Sequence, residues 1–267
     1  MEENEEIKRH EDGIVIGSEP IEYIKGSTLI FMIHGFSSSP DEFRELANYL
    51  RDKNISVVAP LLPKHGIAPE KLNDTNQEEL YEYAERTLKR YLNQEKFRKV
   101  LVLGNCSGGN IAIKIAAAFN DKIDGLILVS TPIFFRYNWI YRIIHPAFKI
   151  YPGYYIKLGK DPKVKKAMIK GNTYARFPMK WMYDIYMMAK ESKNEIKKVE
   201  KPILIIQSSK DHVVHPKSAS YIKVYSKSEK KKMVMFDKKC HVLLRHNVKN
   251  DVNIEILSFI ENIGKLR

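Results

Sequence analysis

Six short apolar runs, separated by helical patterns, constrain the fold of this chain more than any other feature. The runs are almost continuously hydrophobic, as expected for strands buried on both faces of a sheet. Strands that alternate with helices in this way predict a mostly parallel sheet flanked by helices, the α/β class. The runs lie at residues 28–35, 55–60, 99–104, 125–130, 202–208 and 232–237.

The helical patterns complete this α/β alternation. A short strand within residues 14–24 is expected to add an edge to the sheet. The 267 residues are enough for one large domain with an insertion. Helices are predicted at residues 40–52, 77–93, 108–119 and 251–263.

The alternation breaks once, between the fourth and fifth apolar runs. About 70 residues intervene there, far more than one crossover helix needs. This segment is rich in aromatic residues and methionine and holds both tryptophans, Trp139 and Trp181. We interpret residues 131–201 as a helical cap (lid) inserted into a core formed by residues 1–130 and 202–267. A cap over the carboxyl ends of the strands predicts an apolar pocket, although its aromatic residues could instead form only the cap's own core.

Composition limits the cellular compartment and the binding partners that we expect for the chain. Two cysteines, Cys106 and Cys240, do not suggest a disulfide framework, and the polar, acidic start is no signal peptide. No apolar run is long enough for a transmembrane segment, so a cytoplasmic protein is expected. The net charge of +13 comes largely from lysines near residues 223–240. We interpret them as a solvated face rather than a contact with anionic lipid, and no nucleic-acid motif accompanies them.

The stretch VLVLGNCSGGN has the form of a nucleophile elbow, G-x-S-x-G, with a cysteine in the central place. In an elbow the nucleophile lies on a tight, strained turn between a strand and a helix, so small flanking residues are needed. Centred on Cys106, both flanking residues are glycine, Gly104 and Gly108. Centred on Ser107, only Gly109 fits. The spacing therefore favours Cys106 as the nucleophile.

Cysteine chemistry agrees with this placement. A helix N-terminus and a nearby imidazole both favour the thiolate, and cysteine needs less activation than serine to attack a carbonyl. The alternative is that Cys106 is a buried cysteine acting as a small hydrophobic residue. The strand–turn–helix context disfavours that alternative.

An elbow predicts an acid after a later strand and a histidine after a still later one. Asp211 follows the fifth apolar run and His241 follows the sixth. Because the carboxyl ends of parallel strands meet at one edge of a sheet, both are expected near Cys106. Three other histidines suit the base role less well, since two adjoin Asp211 in sequence and the third is expected at the surface, leading into the last helix: His212, His215 and His246.

The stretch MIHGF at the end of the first apolar run predicts an oxyanion hole. Its glycine lets the chain turn closely, so that the backbone N–H of Phe36 can point at a developing oxyanion. The second donor is expected to be the backbone N–H of Ser107. His34 is then structural rather than a proton carrier. We expect neither a cofactor nor a metal at this site.

These segments together resemble the bacterial carboxylesterases of the monoacylglycerol-lipase-related group in the α/β-hydrolase superfamily. The resemblance covers most of the chain and is weakest in the cap. It implies an α/β-hydrolase fold with a lid, and an esterase acting on small acyl esters. The triad carries over as Cys106, Asp211 and His241, and the oxyanion donors as Phe36 and Ser107. The segments that carry it are GSEPIEYIKGSTLIFMIHGFSSSPDEFRELANYL, APLLPKHGIAPEKL, GNCSGG, DHVVHP and CHVLL.

The chain departs from the family pattern in two places. Lys64 stands where a Gly-His-Gly segment usually opens with glycine. Cys106 stands in place of serine, as cysteine does in the similar dienelactone hydrolases. The second departure leaves the rate and the substrate open.

Three functions are compatible with the sequence. The first is hydrolysis of carboxylic esters with a medium-sized apolar acyl group. The second is a thioesterase or acyltransferase on the same scaffold, in which the cysteine passes its acyl group on. The third is a ligand-binding protein that kept the fold. A complete acid–base pair and an oxyanion loop disfavour this third function, because a binding protein needs neither.

Overall fold

The structure, a computed structural model, describes residues 8–137, 143, 145–149, 151, 153–156, 173–238 and 240–263. Within these residues the chain forms nine strands. In chain order they are β1 (Ile21–Tyr23), β2 (Thr28–Ile33), β3 (Ser56–Ala59), β4 (Lys99–Asn105), β5 (Gly125–Val129), β6 (Tyr154–Ile156), β7 (Arg176–Pro178), β8 (Ile203–Ser208) and β9 (Lys231–Phe236).

Six α-helices of eight or more residues are described in full. Several follow a sequence signal; for example, the side chain of Asn76 accepts from two backbone N–H groups at the start of the second helix. The helices are α1 (Arg44–Asp52), α2 (Gln77–Leu92), α3 (Ser107–Ala118), α4 (Lys180–Glu195), α5 (Lys217–Tyr225) and α6 (Lys249–Asn262).

Seven of the strands form one sheet in the order β1-β3-β2-β4-β5-β8-β9. All neighbours pair in parallel except β1, which runs antiparallel to β3 at the edge. The fold class predicted from the apolar runs, an α/β-hydrolase-type sheet flanked by helices, is therefore confirmed. The predicted edge strand is present, but it covers only Ile21–Tyr23.

Buried side chains lie on both faces of the sheet, in one apolar cluster per face. In β4, Val100 and Val102 belong to one cluster while Leu101 and Leu103 belong to the other. This alternation is the period of two that a strand imposes on its side chains. The continuous apolar runs follow directly, since a strand covered on both faces has no polar side.

Helix α5 was not predicted from the sequence. Strands β8 and β9 pair in parallel, with Ser208 opposite Phe236, so the chain must cross from one end of the sheet to the other between them. Helix α5 makes this crossover, burying Ser218, Ala219 and Ile222. Two of its three buried residues are the small Ser218 and Ala219, so the sequence shows little apolar stripe for this helix.

The segment between β5 and β8 contains both strand and helix. Strands β6 and β7 form a two-stranded antiparallel sheet, and α4 packs on α3 of the core. The two-stranded sheet was not anticipated by the prediction of a helical cap over residues 131–201. Trp139 lies outside the described residues, whereas Trp181 is fully buried. No helix among the described residues is long and apolar enough to cross a membrane.

Candidate active site

Cys106 lies on the sharp turn between β4 and α3. Its backbone angles are φ 51° and ψ −125°, a conformation that L-residues rarely adopt and that costs about 1–3 kcal/mol. A Cβ on Gly104 would lie 2.4 Å from the Gly108 carbonyl oxygen, and a Cβ on Gly108 would lie 2.1 Å from the Ile33 carbonyl oxygen. Both flanking positions therefore exclude any side chain, which is the physical reason for the glycine spacing.

The structure brings the three residues of the predicted triad together. His241 Nε2 lies 3.3 Å from Cys106 Sγ, and His241 Nδ1 lies 2.8 Å from Asp211 Oδ2. Cys106 is half-buried, His241 is mostly buried and Asp211 has no exposed surface. The imidazole thus bridges the thiol and the carboxylate, in the geometry that a nucleophile, base and acid require.

Asp211 is fixed by the loop that follows β8. Its Oδ1 accepts from the backbone N–H groups of Val213 and Val214, at 2.8 and 3.0 Å. Its Oδ2 accepts from the side-chain amide of Gln207 at 3.0 Å as well as facing His241. With four polar partners the buried carboxylate is well satisfied, and it can hold the imidazole in a single orientation.

The charges of the site shift two pKa values in opposite directions. Burial by itself would lower the pKa of His241, but its charge interactions and hydrogen bonds with Asp211 and Cys106 raise it well above its ordinary 6.5. Burial by itself would raise the pKa of Asp211, but His241 and the two backbone N–H groups lower it below 3.8. Folding thus favours a charged imidazolium beside a charged carboxylate.

These shifts predict how the Asp211–His241 pair contributes to stability as pH changes. The raised pKa of His241 stabilises the fold fully below pH 6.5, and this part is lost as pH rises through the folded-state pKa. The lowered pKa of Asp211 stabilises the fold above pH 3.8, and this part is lost as pH falls through the folded-state pKa. The difference in the free energy of unfolding between the unaltered protein and Asp211→Asn should therefore be largest between pH 3.8 and 6.5.

Urea denaturation of both proteins between pH 3 and 9 measures this difference. We expect it to reach up to about 3 kcal/mol, as for other buried pairs, and to shrink on both sides of the window. Ser228→Ala, a change in a buried serine just before β9, at the end of that strand away from His241, should give a difference independent of pH. A constant difference for Asp211→Asn would contradict the linkage.

The two predicted oxyanion donors differ in their hydrogen bonding. Ser107 is the first residue of α3, and its backbone N–H contacts no acceptor within the part of the chain that the structure describes. The backbone N–H of Phe36 donates to the side-chain oxygen of Ser107 at 2.7 Å. Sequence reasoning placed both donors beside Cys106 but gave no role to the Ser107 hydroxyl.

His34 has the structural position that the sequence suggested. It is 1% exposed, its Nδ1 lies 2.9 Å from the Gly35 carbonyl oxygen, and its Nε2 accepts from the backbone N–H of Leu62. Burial lowers the pKa of His34 to about 4, against the smaller opposing effect of the Gly35 carbonyl. A neutral imidazole therefore connects the loop after β2 to the loop after β3.

Glu42 is a buried carboxyl group that sequence reasoning missed. It is 6% exposed, and its Oε1 accepts from the backbone N–H of Gly35 at 2.8 Å, next to Phe36. Burial raises the pKa of Glu42, while Arg245 and a hydrogen bond with Asn105 oppose the rise. The sequence holds no signal for this role, because a glutamate near a helix start ordinarily faces solvent.

Two features of the surroundings connect the loops of the site. Trp181 of α4 stacks on Phe36 with ring centroids 4.4 Å apart, and its indole N–H donates to the Leu72 carbonyl oxygen. Lys64 has φ 62°, in the left-handed region that glycine adopts without strain. This backbone angle suits the glycine that the resemblance led us to expect there, and the next residue, His65, lies edge-on to Phe36 with ring centroids 5.5 Å apart.

Of the other histidines near the site, His215 and His246 make no side-chain hydrogen bond to Cys106 or Asp211 within the described residues. His212 is exposed with its ring 6.4 Å from that of His241, and His215 accepts from the backbone N–H of Lys217. His246 was expected at the surface but is half-buried at the start of α6. Among the described residues, no group of three His, Cys, Asp or Glu side chains could hold a metal ion.

Comparisons with known proteins add a family and a fold. A family model described as serine aminopeptidase, S33, matches residues 25–247 of the chain. A Bacillus subtilis carboxylesterase is 21% identical over 250 residues, covering 93% of this chain and 98% of that protein. A thermostable monoacylglycerol lipase of Bacillus sp. strain H-257 is 24% identical over 236 residues, covering 86% and 88%.

A solved structure resembles the fold over nearly its full length. The crystal structure of a Paleococcus ferrophilus monoacylglycerol lipase superposes with a TM-score of 0.78 at 16% sequence identity. The match covers 91% of this chain and 98% of that one. At this identity the likeness supports the arrangement of sheet and helices.

Proposed function

The chain belongs to the serine aminopeptidase S33 family of the α/β-hydrolase superfamily, and from this premise we propose that it hydrolyses carboxylic esters through an acyl-enzyme on Cys106. The observation that carries the proposal is the continuous contact from Asp211 through His241 to Cys106. Two relatives that match over most of their length are a carboxylesterase and a monoacylglycerol lipase, which supports esters as the substrate class.

The first half-reaction transfers the acyl group to the enzyme. The Cys106 thiolate attacks the ester carbonyl carbon, and the π electron pair moves onto the carbonyl oxygen. When the tetrahedral intermediate collapses, the C–O bond to the alcohol breaks, and the leaving alkoxide takes a proton from His241 Nε2. Asp211 keeps the imidazole oriented and stabilises its positive form.

The second half-reaction releases the acid. His241, now neutral, removes a proton from water as its oxygen attacks the thioester carbon. Collapse breaks the C–S bond and returns the thiolate beside a protonated imidazole. Ester and water are thus converted to acid and alcohol, with the enzyme unchanged. A thioester passes its acyl group readily to other acceptors, which keeps a thioesterase or acyltransferase as the alternative.

Hydrolysis of a panel of p-nitrophenyl esters, from acetate to dodecanoate, tests the proposed function. We expect saturable release of p-nitrophenol and, in rapidly quenched samples, protein mass increased by one acyl group. Product analysis with added alcohol or amine separates hydrolysis from transfer, because a transferase forms a new ester or amide in preference to free acid. Absence of both turnover and acylation across the panel would contradict the proposal.

We further propose that residues 131–201 act as a cap over the acyl pocket. The stacking of Trp181 on Phe36 supports this assignment, since it places a cap side chain against the loop beside Cys106. Each methylene buried in an apolar pocket contributes about 0.8 kcal/mol, roughly a fourfold gain in affinity. We also propose a cytoplasmic location, because the Cys106 thiol stays reduced there.

Fluorescence of Trp181 is expected to report on acyl binding. In a Trp139→Phe background Trp181 is the single indole. Because it is already fully buried, we expect fatty acids to change its emission through the Phe36 ring on which it stacks, saturably and with affinity that rises with chain length. The same ligands should slow alkylation of Cys106 by iodoacetamide. Cys240, the other cysteine, provides the internal control for reagent quality after denaturation. A flat titration with unchanged Cys106 reactivity would reject the acyl pocket.

A further inference from the structure

The side chain of Ser107 occupies a place that the reaction as derived above does not use. It is 3% exposed, directly follows Cys106, and its Oγ accepts the backbone N–H of Phe36 at 2.7 Å. That N–H is one of the two proposed oxyanion donors. The hydroxyl therefore lies between the oxyanion loop and the nucleophile, where one of the donors would be needed.

The Ser107 hydroxyl uses its capacity to accept a hydrogen bond but not its capacity to donate one. A serine hydroxyl can accept and also donate one hydrogen. Within the described part of the chain, Ser107 Oγ accepts from the Phe36 N–H and donates to no acceptor. Its O–H is thus available to a ligand. Ser107 is also the first residue of α3, directly after Cys106, so its backbone N–H belongs to the first turn of that helix.

We propose that the Ser107 hydroxyl donates to the oxyanion in place of the Phe36 N–H, which acts on the oxyanion only through this hydroxyl. In this arrangement Phe36 N–H donates to Ser107 Oγ, and the Ser107 O–H donates to the substrate's carbonyl oxygen. The inference rests on the proposed ester chemistry at Cys106. No bond to Ser107 forms or breaks, and its proton stays on Oγ throughout.

The Ser107 hydroxyl could either pass the Phe36 hydrogen bond on to the oxyanion or block the Phe36 N–H, and two physical reasons favour the first. A hydroxyl that accepts a hydrogen bond becomes a stronger donor, because chains of hydrogen bonds polarise one another. Displacing the hydroxyl instead would leave a buried polar group without its partner, which is costly. The loop carrying the Phe36 N–H is held by Glu42 and by Trp181, so the donor is already in place before substrate binds.

Aldehyde binding tests donation by the Ser107 hydroxyl independently of turnover. Octanal adds to the Cys106 thiolate to form a hemithioacetal, whose oxygen occupies the oxyanion position, and so protects Cys106 from iodoacetamide. We expect Ser107→Ala to weaken this protection by about 10- to 100-fold, comparable with the loss of one oxyanion donor. Ser107→Thr, which keeps a hydroxyl, should recover most of it.

Alkylation without aldehyde distinguishes donation from a structural role. Reaction of iodoacetamide with Cys106 forms no oxyanion, so its rate in Ser107→Ala should stay within about twofold of the unaltered protein. Ser228→Ala, a change in a buried serine just before β9, at the end of that strand away from His241, should change neither measurement. Where esters are turned over, kcat should fall with the aldehyde affinity while KM changes little.

Three outcomes overturn the inference. They are aldehyde protection that is unchanged in Ser107→Ala, alkylation that falls in parallel with protection, and no protection in the unaltered protein. Failure of the proposed function has a different signature, because it removes ester turnover while Cys106 still binds octanal. The two failures can therefore be told apart.

Discussion

Replacing Cys106 with alanine is expected to abolish ester hydrolysis, with kcat lowered on the order of 10⁴-fold or more. In the proposed mechanism alanine removes the atom that carries the acyl group, and because it keeps the Cβ of Cys106 the fold should stay in place. The loss should appear equally in kcat and kcat/KM, because the missing interaction belongs to the chemical step. Steady-state rates on p-nitrophenyl esters measure it.

Cys240→Ala is the matched control for this change. Cys240 is the chain's other cysteine and is buried next to His241, so it tests whether any nearby thiol could serve. We expect Cys240→Ala to retain activity within about threefold. Peptide mass spectrometry after brief exposure to an activated ester should place the acyl group on Cys106. Acylation of Ser107 or Cys240 with Cys106 unmodified would show the assignment to be wrong.

Replacing His241 with alanine is expected to lower kcat by about 10³-fold or more. The variant lacks the group that protonates the leaving alkoxide and that activates water in the second half-reaction. Loss of the positive imidazolium also removes a charge that favours the thiolate, so alkylation of Cys106 at pH 7 should slow. Asp211→Asn should have a smaller effect, since cysteine depends less on its activator than serine does.

His215→Ala and His246→Ala are the controls for the base. Both residues lie within a few positions of a triad member in sequence, but in the structure neither contacts Cys106 or Asp211 through its imidazole. Their activity should stay within about threefold of the unaltered protein. Near-normal turnover in His241→Ala, together with loss in either control, would mean that the base has been misplaced.

The sequence by itself determined the sheet and the order of its site-bearing loops. Continuous apolar runs are local patterns, and a strand buried on two faces can hardly be written otherwise. The spacing of Gly104 and Gly108 around Cys106 is equally local, because backbone atoms leave no room for a Cβ at either position. Chain order then placed Asp211 and His241 at the same sheet edge, where the structure brings them together.

Only the tertiary structure decided the features that depend on distant contacts. Helix α5 has a weak apolar stripe, and the parallel pairing of β8 and β9 requires a crossover there. Glu42 became a buried support of the oxyanion loop through its bond to the Gly35 N–H. The Ser107 hydroxyl met the Phe36 N–H, 71 positions away in sequence, because β2 and β4 are neighbours in the sheet. Periodicity and motif spacing describe a residue's own segment, and they carry no information about which side chain a fold will bring against it.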